Sequence, residues 1–95
     1  MRTIHKFELT PREGTALVEP VMMDVAAKYL HVNVQNDRIY LWAEIETDSP
    51  QEWHNFEVFG TGHEMIQDMG VDREYVGTVL VHYGQLVFHV YHRAN

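Results

Sequence analysis

From Tyr29 to Thr47 apolar and polar side chains alternate with a period of two, interrupted only at Asn36-Asp37. That period belongs to strands with one buried face, because a helix would carry the same apolar residues around its whole circumference. Asn and Asp tolerate positive φ, so Asn36-Asp37 reads as a two-residue hairpin loop joining strands near 28–35 and 38–46. The loop places Val34 opposite Ile39 and Val32 opposite Leu41 on the buried side, with Leu30 continuing the row. On the other side it pairs His31 with Trp42 and Asn33 with Tyr40, and alternation puts Tyr29 there too.

The rest of the chain carries the same signature. Ile4, Phe7 and Leu9 mark a first strand, closed by the turn residues of Pro11-Arg12-Glu13-Gly14. Ala16 to Met23 reads as an edge strand, since Pro20 cannot donate to a ladder; a short helix with Val21, Met22, Val25 and Ala26 on one face is the alternative. After Asp48-Ser49-Pro50, Trp53 to Phe59 forms a strand that ends at Gly60. Glu64 to Gly70 has Met65, Ile66 and Met69 at helical spacing and predicts one helical turn or a packed loop. Tyr75 to Tyr83 and Leu86 to His92 form a second hairpin, turning at Gly84-Gln85 or at Tyr83-Gly84. Either turn sets Val79 and Val81 with Leu86, Phe88 and Val90 in the core, and Thr78, Leu80 and His82 with Val87, His89 and Tyr91 opposite. Six or seven short strands with at most one helical turn predict an all-β chain, a small antiparallel sandwich or barrel, as one domain over 1–95.

Composition limits the partners. With 95 residues and no cysteine, neither disulfides nor thiolate zinc can support the fold, and a core this small gains from burying a face against a second copy. Self-association is therefore expected. A net charge of −7 disfavours nucleic acid and anionic lipid, which reward clustered Lys and Arg. Met1-Arg2-Thr3-Ile4-His5-Lys6 lacks the apolar core of a signal peptide, and no apolar run approaches the roughly 20 residues that span a bilayer. A cytoplasmic location without membrane contact is expected.

Leu30-His31-Val32-Asn33-Val34-Gln35, Leu41-Trp42-Ala43-Glu44, Gly60-Thr61-Gly62-His63 and Val87-Phe88-His89-Val90 occur in the order found in a domain-of-unknown-function family of small phage and prophage proteins. The chain resembles that family over nearly its whole length, more loosely at Arg2-Thr3-Ile4-His5-Lys6-Phe7. The resemblance implies a phage accessory role in the host cytoplasm and brings no catalytic residues with it.

Residue chemistry offers three candidate sites. Seven histidines raise the question of a metal, with His82 and His89 as diagonal neighbours, but no compact ligand spacing is present and no metal or cofactor is expected. Gly60-Thr61-Gly62-His63 could turn backbone N–H groups toward a small anionic, nucleotide-like ligand, or could simply end a strand tightly. Tyr29, His31, Tyr40 and Trp42 form the preferred partner-binding face, because Tyr and Trp supply rigid contact area; aromatic packing under a loop or within a dimer is the alternative. No nucleophile elbow or paired-acid arrangement is recognisable. The expected function is a non-enzymatic protein that binds a host component, with an anion binder and a structural homo-oligomer as alternatives.

Overall fold

The computed structural model describes residues 1–65 and 72–94. Among them seven strands form two antiparallel sheets: β1 (Arg2–Glu8), β2 (Val21–Asp24), β3 (Lys28–Gln35), β4 (Arg38–Glu46), β5 (Gln51–Gly60), β6 (Arg73–Val81) and β7 (Leu86–Arg93). One sheet has the order β1-β4-β3 and the other β2-β5-β7-β6. The fold is an open sandwich, all-β as the alternation predicts. Among the described residues no helix is long and apolar enough to cross a membrane. The expected helical turn at Glu64 to Gly70 falls almost wholly outside the described residues.

β4 carries the cleanest alternation. Ile39, Leu41, Ala43 and Ile45 are buried, while Tyr40, Trp42, Glu44 and Glu46 are partly exposed on the opposite side. The inward row meets Val32 from β3, Phe56 and Val58 from β5, Val79 and Val81 from β6 and Val90 from β7 in one apolar core. Asn36 and Asp37 both take left-handed backbone, with φ of 51° and 60°, as a two-residue hairpin loop requires. The resulting pairs, Val34 with Ile39, Val32 with Leu41, Asn33 with Tyr40 and His31 with Trp42, are those the loop length dictates.

Five details depart from alternation or resolve its alternatives. Residues 21–24 are an edge strand rather than a helix, paired with β5. Ile4 faces outward opposite Glu44 and is exposed, because β1 lies at a sheet edge and only its Phe7 side meets the core. The β6–β7 hairpin has the register of a turn at Tyr83-Gly84, with the Gln85 N–H donating to the His82 carbonyl at 3.1 Å. Leu86, expected in the core, is exposed where it sits beside that turn. Finally, β3 is irregular between Tyr29 and His31: Leu30 is an extra residue that has no partner and is exposed, and Tyr29 pairs with Ala43 on the inner side. A bulge adds one residue to one strand and so exchanges the faces of everything before it.

β6 has a matching irregularity between Tyr75 and Gly77. A Cβ on Gly77 would overlap the Val32 Cγ2 across the sandwich, so glycine permits the close approach of β6 to β3. Replacing Gly77 with alanine should cost about 1–3 kcal/mol in urea unfolding. Val32→Ala should recover part of that loss in the double variant, and additive effects would show that the two strands do not touch at this point.

Candidate functional site

Two places gather functional side chains. The first is the outer face of the three-stranded sheet. β3 and β4 place His31, Tyr40 and Trp42 side by side there, with the Trp42 ring 6.3 Å from His31 and 6.4 Å from Tyr40. Lys6 crosses from β1 with its Nζ 4.6 Å from the Tyr40 ring centroid, and donates to Gln35 Oε1 at 3.0 Å. Three of the four aromatic residues expected on this face are therefore together. Tyr29 is not among them, because the Leu30 bulge turns it inward.

Tyr29 instead helps to build the second place, a cleft of about 650 Å³ at one end of the sandwich. Strand pairing aligns Phe56, His92 and Glu74 in a row across β5, β7 and β6. His54 and Glu52 share the Phe56 face of β5, since residues two apart point the same way. Tyr29 descends from the opposite sheet, its ring 5.3 Å from Phe56, 5.2 Å from His92 and 5.9 Å from His54.

The hydrogen bonds assign the protons at this floor. The Asp24 carbonyl can only accept, so His54 Nε2 carries the proton of the 3.0 Å contact between them. His54 Nδ1 is then the acceptor for the Tyr29 hydroxyl at 2.6 Å. Burial, reinforced by the Glu74 and Glu52 carboxylates, raises the Tyr29 phenol well above its ordinary range and keeps it a donor. His92 Nδ1 is buried without a hydrogen-bond partner, 3.9 Å from Glu74 Oε2. Burial lowers the His92 imidazole below its ordinary 6.5 and His54 lowers it further, against the opposite pull of Glu74 and Glu52.

Asp24 joins the sheets beneath this cleft. Its side chain is buried and accepts the Ala26 N–H at 3.0 Å and the Glu46 N–H at 2.8 Å. The second donor lies beyond Lys28 and Glu44, where the β3–β4 ladder stops, so the carboxylate occupies the place of the next strand carbonyl. These two N–H groups, Ala26 first, hold the carboxyl below its ordinary 3.8 against the desolvation that would raise it.

At Gly60-Thr61-Gly62-His63, two of the N–H groups that could face an anion are already used. Thr61 N–H donates to the Val87 carbonyl and His63 N–H to the Gly60 carbonyl, both at 3.0 Å. Thr61 Oγ1 lies 2.7 Å from His89 Nε2, and the His63 ring covers Gly60 where a side chain would otherwise stand. His82 sits in the left-handed turn and His89 opposite Thr78, so strand pairing does not bring the two together as a ligand pair. Among the described residues no group of three or more His, Cys, Asp or Glu is placed to hold a metal. Alternation alone could not have found the cleft; the clue was Tyr, Leu and His in succession at 29–31, any of which could take the inner side.

No curated protein and no solved structure matches this chain. The family model that matches, over residues 1–95, is described as a domain of unknown function, DUF7352.

Two of the shifted groups in this region, His92 and Asp24, favour acid destabilisation. Unfolded His92 takes up a proton at a pH where the folded imidazole does not, so stability should fall as pH drops from 6.5 through its lower folded value. Folded Asp24 resists protonation that the unfolded carboxyl accepts, so a second loss should begin near pH 3.8 and deepen below it. Thermal melts followed from neutral to acid pH should show both limbs. His92→Phe should flatten the upper one, and Asp24→Asn the lower one while reducing stability at neutral pH. An unchanged upper limb in His92→Phe would assign that titration elsewhere.

Proposed function

The chain belongs to the DUF7352 family, and on that premise we propose that it is a non-enzymatic phage accessory protein that binds a host protein in the cytoplasm, inhibiting a defence or regulatory system. The observation that carries the reading is the outer face of the three-stranded sheet, where Trp42, His31 and Tyr40 lie together with Trp42 and Tyr40 only half-buried. A Trp and Tyr pair beside a basic residue offers contact area with little conformational freedom to lose. The ordered strands of the Leu30 to Gln35 and Leu41 to Glu44 motifs present this face, and those motifs carry the resemblance to phage-encoded proteins. A binding role is also supported at the cleft floor, where both His54 nitrogens are committed to hydrogen bonds and the Tyr29 phenol stays protonated. Neither group is poised as a general base.

Leu41 and Trp42 separate fold from function. Leu41 is fully buried, so Leu41→Ala should cost about 2–5 kcal/mol of stability. Trp42→Ala should barely move the melting temperature but weaken partner association by about 2 kcal/mol or more. Affinity capture from host lysate, with parent and Trp42→Ala as parallel baits, should retain the partner only on the parent. If Trp42→Ala unfolds the chain as severely as Leu41→Ala, the ring is part of the core and the binding face lies elsewhere.

Self-association is a second reading, favoured by the β6–β7 hairpin, where Leu80, Tyr83 and Leu86 are exposed near one tip. Three apolar side chains left in solvent on a small domain suit burial against a second copy. Light scattering at micromolar concentration should report an oligomer that Leu80→Lys dissociates; a monomeric parent would refute this reading.

A further inference from the structure

The cleft at the end of the sandwich has a chemistry of its own, separate from the aromatic outer face. Glu52 reaches it from β5 and Glu74 from β6, so two carboxylates stand on either side of a floor made by Tyr29, His54 and His92. His54 holds the Tyr29 hydroxyl at Nδ1 and the Asp24 carbonyl at Nε2, and Tyr29 is neutral. His92 stands 3.9 Å from Glu74 Oε2, beyond hydrogen-bond length, so that carboxylate is not tied down by the imidazole and its side chain stays 70% exposed. Lys28 and Arg93 also line the cleft, but the Arg93 guanidinium is drawn 3.6 Å from Glu57. At both Tyr29 and His92 the strongest carboxylate influence comes from Glu74 and Glu52, in the sense that rewards positive charge there.

We propose that this cleft binds an organic cation, an alkylammonium or guanidinium group, held between Glu52 and Glu74 with its alkyl portion against Tyr29. Three features select that class. The two exposed carboxylates attract positive charge. The Tyr29 ring at the floor favours a diffuse cation over a compact, strongly hydrated metal ion. The cleft volume admits a chain of several atoms rather than a bare ion. The same chemistry is offered by a free polyamine-like molecule and by an Arg or Lys side chain of a protein.

Calorimetric titration of the full chain distinguishes these sources and tests the site. The probes are agmatine, a capped Gly-Arg-Gly tripeptide and its citrulline counterpart, which keeps the shape of arginine without the charge. Agmatine, the arginine peptide or both should bind, with the citrulline peptide at least about tenfold weaker. Binding of agmatine alone marks a free amine as the ligand, and binding of the peptide alone marks a protein side chain. The double variant Glu52→Gln, Glu74→Gln should lose about tenfold or more in affinity while melting like the parent, since both carboxylates are exposed. Lys28→Met should tighten binding by removing an opposing charge. The proposal is overturned if neither cation binds, if the citrulline peptide binds as well as the arginine peptide, or if the double variant keeps the parent affinity.

Discussion

Every other strand in this molecule takes its position from the alternation along β4. With Ile39, Leu41, Ala43 and Ile45 buried in one row, a slip of a single residue in either neighbour would carry core side chains into water. β1 and β3 pair with β4 on its two sides, and the second sheet is whatever covers the row: Phe56, Val58, Val79, Val81 and Val90. The strand alone can form no core. Its one-sided pattern obliges the chain to make a second layer, and that obligation explains why so short a sequence folds as a sandwich rather than as a meander with an open face.

What was legible in the residues follows from how local each cause is. The β3–β4 register was readable because Asn36-Asp37 fixes the loop length and the apolar residues on both sides agree with it. β1, β5 and the final hairpin were readable for the same reason, each bounded by turn residues and each with an apolar side. The bulge at Leu30 was not. Leucine is more apolar than tyrosine, so a pattern-based reading buries Leu30, whereas the fold turns Tyr29 inward, partly buried, because the other sheet supplies His54 for its hydroxyl and Phe56 for its ring. A partner more than twenty residues away decided the matter, and no window around Tyr29 contains it. Gly77 was a sign that could be read without that partner, since an isolated glycine inside a strand marks a bulge or a close backbone approach.

The consequence for the candidate sites is a division between faces. Residues read correctly from alternation, His31, Tyr40 and Trp42, make the outer surface, which depends only on the hairpin. The cleft depends on both sheets, on two bulges and on Asp24, and its side chains come from five strands if Asp24 is counted with β2. An outer face of one hairpin can vary in side chain without disturbing the core beneath. A cleft assembled from several strands cannot, because Tyr29, His54 and His92 each support another member of the set.

The contact between Gly77 and Val32 has a mechanical meaning. Where the backbone of one sheet meets a β-branched side chain of the other with no Cβ between them, the layers can neither approach further nor slide freely. Such a point is a fulcrum. Tyr29 and Glu74, on the two facing strands, lie three residues to one side of it, while Val34 and Val79 lie two residues to the other. Any rocking of one sheet on the other about that fulcrum must change the width between Tyr29 and Glu74 in the opposite sense to the packing of Val34 and Val79. The packing of Val34 and Val79 on one side and the separation of Tyr29 and Glu74 on the other are thus tied to a single point of contact.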